Sequence, residues 1–237
     1  RQLARLGGLA GVLAASDPIR RELRRRRVVP ANRLHRIRPG VHQVRHANCF
    51  NDPQHSISLV SCGRLDDYRA YGAMLKAFAE LNARDEDCAF FIIGTGPEEQ
   101  RLRHLADKLD LRHELSFNDA FPARQLPGIL KAADVYLSPA NRDELDVHAL
   151  LAMAAGVPVL AAEGGVSDFL IDGTTALLHE KGDADTLAEK LQGMLSDRPS
   201  ARALAEQALD YLRKHHSPAA MVASLADVYR SAIVGTG

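Results

Sequence analysis

Arg64 and Arg69 stand five positions apart, the first inside a Gly63-Arg64-Leu65 turn that follows the apolar run Ile57 to Cys62. Guanidinium groups offer planar donor forks that match phosphate oxygens, and an adjacent glycine lets a ligand approach the backbone. That chemistry suits a phosphate or a diphosphate. A second turn, Gly94-Thr95-Gly96-Pro97, also follows an apolar run and opens a helix, so its amides could face an anion or a base. It lacks the third glycine of a full dinucleotide fingerprint. In a third turn the carboxylates Asp143, Glu144 and Asp146 crowd just ahead of a helix start. They either cap that helix and complement its dipole, or they line a site.

The elements that position these turns can be read from periodicity. Val135 to Leu137 is a short apolar run ending in Ser138-Pro139, and Val147, Leu150, Leu151 and Ala154 then recur at helical spacing until Gly156 stops the helix before Val157 to Leu160. This is strand, loop, helix, strand. Strands at Ile57 to Cys62, Cys88 to Ile93, Leu115 to Phe117, Val135 to Leu137 and Ala176 to Leu178 alternate with helices at Tyr71 to Leu81, Glu98 to Leu109 and Ala123 to Ala132. Helices at Ala184 to Leu195, Ala201 to Lys214 and Pro218 to Ile233 follow. Such alternation predicts an α/β fold with a Rossmann-like parallel sheet covered by helices on both faces. In an open parallel sheet ligands bind beyond the carboxyl ends of the strands, where all three turns fall. Together on one rim they suggest a bound sugar nucleotide.

The segment before the sheet reads differently. Gly11 to Ala15 is a short apolar run, Ser16-Asp17-Pro18 is a good helix start, and Ile19 to Arg27 reads as a short basic helix. From Pro30 to Pro53 no periodicity is visible, which predicts a linker or hinge. Up to residue 45 there are twelve arginines against Asp17 and Glu22, a charge of +10, so the remainder of this net-neutral chain carries −10. The basic face either pairs with acidic neighbours or meets anionic lipid headgroups; few aromatics interleave with it, which argues against a base-stacking nucleic-acid surface.

At 237 residues, 46% hydrophobic and 25% charged, the composition is that of an ordinary globular protein. No apolar run approaches the roughly 20 residues of a membrane span. Cys49, Cys62 and Cys88 lack metal-ligand spacing, so no metal site is expected and buried thiols in a reducing compartment are the default. Arg1 reads as an internal residue of something longer. His148, one position into the central helix, is either a partly buried helix histidine or a contact to a sugar or phosphate. His215 and His216 read as solvent-facing dipole partners at a helix end. Ser16 and Ser167 have no nucleophile-elbow context.

The order of these pieces carries a resemblance. Gly63-Arg64-Leu65, Arg69, Ala77-Phe78, Ile93-Gly94-Thr95-Gly96-Pro97, Ala133 to Pro139, Ala152 to Val159, Gly164 to Asp168, Asp172 to Leu178 and Gly182-Asp183 together resemble the donor-binding half of retaining, group 1 nucleotide-sugar glycosyltransferases of the GT-B fold. The match runs from about Val60 to Leu191. Ala14 to Leu23 with Ile37 to His42 is similar to that family's crossing from its first domain into its second. The resemblance implies that residues 1–45 are the tail of an N-terminal domain and a hinge, 46–200 the donor-binding domain, and 201–237 helices that pack back towards the N-terminal domain.

It also implies roles. Arg64 and Arg69 would hold the donor diphosphate in place of a metal. Asp143 falls on the first glutamate of the family's E-x7-E motif, facing the donor sugar, and Glu144, Leu145, Asp146 and Val147 on the loop whose amides hold that sugar. Gly63 would belong to the donor-binding residues, and Gly94, Gly96 and the Phe117-Asn118 region would approach the nucleoside. Leu151 replaces the second glutamate, which receives the ribose hydroxyls; a missing acceptor costs about 1–3 kcal/mol. The implied function is transfer, with retention, from a UDP- or GDP-linked sugar to an acceptor glycan or lipid-linked sugar, without a cofactor, in the cytoplasm or at the inner face of the membrane, through Arg20 to Arg27. Such an enzyme serves polysaccharide, lipopolysaccharide or glycolipid synthesis. The alternative implied by Leu151 is a degenerate, non-catalytic binding or scaffolding domain. A dehydrogenase-like nucleotide domain is disfavoured by the incomplete glycine turn.

Overall fold

The computed structural model describes residues 11–27, 29–43, 56–84, 87–122, 124–139 and 145–234. Its main body is a six-stranded, wholly parallel sheet of β3 (Ile57–Cys62), β4 (Cys88–Ile93), β5 (Leu115–Asn118), β6 (Val135–Ser138), β7 (Val159–Ala162) and β8 (Leu177–His179), in the order β5-β4-β3-β6-β7-β8. The order reverses between β3 and β6, so the loops after these neighbouring strands diverge and leave a crevice. Each connection between parallel strands must cross a face of the sheet, and the helices do so. They are α2 (Tyr68–Asn82), α3 (Glu99–Lys108), α4 (Leu126–Lys131) and α5 (Val147–Ala154), followed by α6 (Ala184–Ser196), α7 (Arg198–His215) and α8 (Pro218–Val234).

The strands alternate their side chains between two buried layers, as a sheet covered on both faces requires. Leu59, Phe90, Ile92, Leu137 and Leu160 pack on one face with Tyr71, Leu75 and Phe78 of α2, Leu102 of α3 and Leu187 and Leu191 of α6. Val60, Cys62, Ile93, Tyr136, Val159 and Ala161 pack on the other with Leu126 and Leu130 of α4, Ala149, Leu150 and Met153 of α5, and Ala208 and Leu212 of α7. Helix starts are fixed locally: Asp67, Asp146, Asp183 and Asp197 each accept a backbone N–H of the first turn of α2, α5, α6 and α7.

The segment expected as an aperiodic linker is in part structured. A turn of 3-10 helix at Ala31–Arg33 leads into β2 (Leu34–Arg36), which pairs in parallel with β1 (Val12–Ala14) across α1 (Asp17–Arg25), forming a small βαβ unit. Residues 44–55 lie outside the described part. The unit is tied to the main body by Val41, whose amide donates to His216 O, and by Pro39 O, which accepts from His216 Nδ1 at 2.9 Å. This corrects the reading of His216: only 2% of it is exposed, whereas His215 stays exposed and packs against Tyr211. No helix among the described residues is long and apolar enough to cross a membrane.

His216 has a counterpart in His179 at the end of β8, whose Nδ1 lies 2.9 Å from Glu180 O. Burial lowers both histidines below their ordinary 6.5, although each has a carbonyl partner. Their Nε2 atoms are buried without a partner among the described residues, so a second ring proton would find no acceptor. Below pH 6.5 the unfolded chain therefore binds more protons than the folded one, and stability must fall as pH drops. Chemical denaturation between about pH 7.5 and 5.5 should show this loss, and a His179→Gln, His216→Gln double variant should flatten the slope over that range.

Candidate functional site

The turns after β3 and β4 are locked together by backbone hydrogen bonds that extend the parallel ladder past the strands. Gly63 N donates to Ile93 O at 3.0 Å, Leu65 N to Thr95 O at 3.0 Å and Glu98 N to Leu65 O at 2.9 Å. This closeness requires glycine. A Cβ on Gly94, which has φ +139°, would stand 1.9 Å from Gly63 O, and one on Gly96 would stand 2.2 Å from Leu65 O. The result is a cleft of about 290 Å³ at the carboxyl ends of β3 and β4, lined by Gly63, Arg64, Gly94, Thr95, Phe121 and His148 among others. Arg64 is exposed at its rim, its Nε 3.2 Å from Asp66 Oδ2. An exposed pair of this kind is worth little and can be exchanged for a ligand anion.

The carboxylate turn is split. Asp143 and Glu144 lie outside the described residues. Asp146 proves to be a cap and more: its Oδ1 accepts from Ala149 N at 2.8 Å, its Oδ2 from Ser138 Oγ at 2.5 Å, and Tyr136 OH lies 3.5 Å from Oδ1. Its own amide donates to Ser167 Oγ at 3.0 Å, and Val147 N donates to Leu145 O at 2.9 Å. These two loop amides, expected to hold a sugar, are thus already engaged. His148, by contrast, is among the residues that line the cleft. The first turn of a helix is where backbone amides can meet an anion.

Asp146 also sets the protonation of its surroundings. Burial pushes the Cys62 thiol up to about 12, and the Asp146 charge adds to this; the hydroxyls of Tyr71 and Tyr136 are raised by the same two causes in the same order. All three stay protonated at neutral pH, so none serves as an anionic nucleophile. A second, smaller cavity of about 100 Å³ is lined by Asp146 with Ser138, Glu163, Gly164, Gly165 and Ser167 among others.

Other expected residues lie elsewhere. Arg69 stands in the first turn of α2 and packs over Gly182, where a Cβ would meet its guanidinium arm, beside the Lys181–Asp67 ion pair. It is not among the residues lining the cleft. The ring of Phe117 packs beneath Arg103 of α3, 4.7 Å from guanidinium carbon to ring centroid, and Asn118 spends its side chain on Ser116 Oγ. The Asn118 backbone carbonyl does reach the site, accepting Gly94 N at 2.8 Å, but Ala120 and Phe121 are the residues that line the cleft from this segment. Leu145 and Leu151 are half-buried and pack against the core layer of α5, and Val147 is exposed. Ser16 caps α1, accepting Ile19 N. Among the described residues no cluster of His, Cys, Asp and Glu could hold a metal ion.

The crevice at the strand-order reversal is floored by two glycine turns and edged by the Arg64 guanidinium and a helix N-terminus. Comparison with known proteins gives the family: residues 50–210 match the model of the glycosyl transferases group 1, and the chain belongs to that family. The D-inositol 3-phosphate glycosyltransferase of Corynebacterium diphtheriae is 28% identical over 160 residues, which are 64% of this chain but 38% of that protein. Sucrose-phosphate synthase of Thermosynechococcus elongatus superposes with a TM-score of 0.83 at 22% identity, covering 99% of this chain and 61% of that one. HepE of Anabaena, solved with UDP and glucose, gives 0.79 at 16%, covering 94% and 63%. The fold is that of one half of the GT-B architecture, and the chain spans 38% of the curated relative and just over 60% of the two solved structures.

The capping network generates a stability test. Asp146→Ala removes a cap and leaves Ser138 and Ala149 without their acceptor, and should cost about 2–4 kcal/mol in chemical denaturation. Asp146→Asn, which keeps an acceptor, should cost less. It should also lower the Cys62 pKa and so speed alkylation of the Cys62 peptide at alkaline pH, read by mass spectrometry.

Proposed function

We propose that this chain is the donor-binding part of a glycosyltransferase that moves a sugar from a nucleotide sugar to an acceptor hydroxyl with retention. The observation that carries the reading is the cleft at Gly63, Arg64, Gly94 and His148, where a guanidinium and the first turn of a helix meet backbone stripped of side chains. When a nucleoside diphosphate departs, the bond from the sugar's anomeric carbon to the phosphate oxygen breaks and negative charge grows on the diphosphate. Positive groups aimed at that oxygen lower the barrier. Arg64 and the His148 amide fit that role, with Arg69 joining by swinging from Gly182. The acceptor oxygen bonds to the anomeric carbon on the face the leaving group vacates, and its proton passes to the departing phosphate oxygen. Asp143 orients the sugar, and an N-terminal domain supplies the acceptor side.

UDP is the first nucleotide to test, since HepE was solved with it, and GDP the second. Acceptors of glycan or lipid-linked type, and a place in polysaccharide, lipopolysaccharide or glycolipid synthesis in the cytoplasm, belong to the same proposal. The apolar packing of Leu151 favours a second reading, a domain that keeps the fold without a working ribose site.

Calorimetric titration with UDP, GDP, ADP and their common sugar conjugates separates the two. The enzyme reading expects one nucleotide to bind and Arg64→Ala to weaken it at least about tenfold, the worth of a charge-assisted hydrogen bond. Absence of binding by the folded chain and by the full-length protein favours the degenerate domain. Membrane contact through Arg20 to Arg27, all but Glu22 and Leu23 of which are exposed, predicts sedimentation with anionic vesicles that fades with salt. Salt-independent sedimentation, or none, excludes it.

A further inference from the structure

Asp168 lies in the loop after β7 and reaches across to the βαβ unit that precedes the sheet. Its Oδ2 accepts the backbone N–H of Asp17 at 3.0 Å and the Arg36 Nη2 at 2.7 Å. Arg36 uses its Nη1 on Asp17, and Asp17 in turn holds Arg20 at 3.0 Å. The side chains of Asp168 and Arg36 are 18% and 20% exposed, so this is a partly dehydrated cluster joining segments 132 and 151 residues apart in sequence. Ion pairs that bridge distant segments with several shared hydrogen bonds contribute more than isolated surface pairs.

The loop that Asp168 anchors is the wall of the smaller cavity. Glu163, Gly164, Gly165 and Ser167 line it opposite Ser138 and Asp146. A Cβ on Gly164 would meet nothing within 4 Å, so side-chain packing does not hold this part of the loop. Ser167, one residue before Asp168, accepts the amide of Asp146, the cap of α5. A continuous chain of contacts therefore runs from Arg36 and Asp17 through Asp168 and Ser167 to the first turn of α5, whose His148 faces the larger cleft.

We propose that Asp168 is a positioning residue: clamped by Arg36 and the Asp17 amide, it holds the 163–168 loop and, through Ser167, the α5 start, and so shapes the cavity beside the candidate diphosphate site. The sugar portion of a nucleotide sugar is the ligand chemistry that would feel this wall, a point resting on the function proposed above. Arg64 and the two glycine turns stand apart from the clamp.

The test combines hydrogen exchange with ligand binding on Asp168→Ala and the milder Asp168→Asn and Arg36→Lys. In Asp168→Ala, amides of residues 146–149 and 163–168 should exchange at least about tenfold faster, with those of β3 and β4 unchanged. UDP affinity should hold within about twofold while UDP-glucose affinity drops about tenfold, and the single variants Asp168→Asn and Arg36→Lys should each show only a small part of both losses. Unchanged exchange at 146–149, or acceleration spread evenly over the sheet, overturns the proposal. If wild type binds neither ligand, the exchange arm still decides the clamp, and only the donor-site reading falls. Equal losses for UDP and UDP-glucose would show a general structural role instead and contradict the positioning claim.

Discussion

One carboxylate ties together the ends of elements that the candidate site needs in register. Asp146 takes the hydroxyl of Ser138 from β6 and the amide of Ala149 from α5, lies near the hydroxyl of Tyr136, and gives its own amide to Ser167 beyond β7. An ionised carboxylate has acceptor sites enough for several donors at once. Tyr136 OH continues the chain to Cys62 O at 3.1 Å, the last carbonyl of β3. The crevice formed by the strand-order reversal is thus bridged by side-chain hydrogen bonds where the backbone ladder cannot bridge it.

That choice of residue has an electrostatic consequence. Burial, with the Asp146 charge added to it, keeps the neighbouring thiol and phenols protonated, and Arg64 stands on the rim of the larger cleft. On the proposed function, the guanidinium at that rim is the group that stabilises a departing phosphate.

Much of this was legible in the sequence because parallel strands buried on both faces are continuous apolar runs, and α5 spans the residues its spacing marks, although Val147 at its start is exposed. The two glycine turns could be placed at the carboxyl ends of their strands from the strand-helix alternation alone. Other features depend on tertiary partners. β2 is three residues long and gains its identity from pairing with β1, and no local pattern marks it between Pro30 and Pro39. His216 is buried because Pro39 and Tyr211 close over it, contacts that helix-end statistics cannot reveal. Phe117 and Asn118 are successive strand residues and must point to opposite faces, so they could not both line one cleft. The role of Asp146 as a cap was one of two readings of an acidic turn, and only the hydroxyls from β6 decide for it. His148 carried one usable signal, its place in the first turn of a helix that begins at a strand's carboxyl end.

The claim at the centre of this account is that a diphosphate sits between the two glycine turns and the start of α5. Amide chemical-shift mapping of the isotopically labelled chain during titration with UDP, and then GDP, tests it most directly. The account predicts shifts concentrated at Gly63, Arg64, Gly94, Thr95 and His148, with little change at Phe117 or along α6 and α7. Saturable shifts centred elsewhere, with these five amides unmoved, would contradict it.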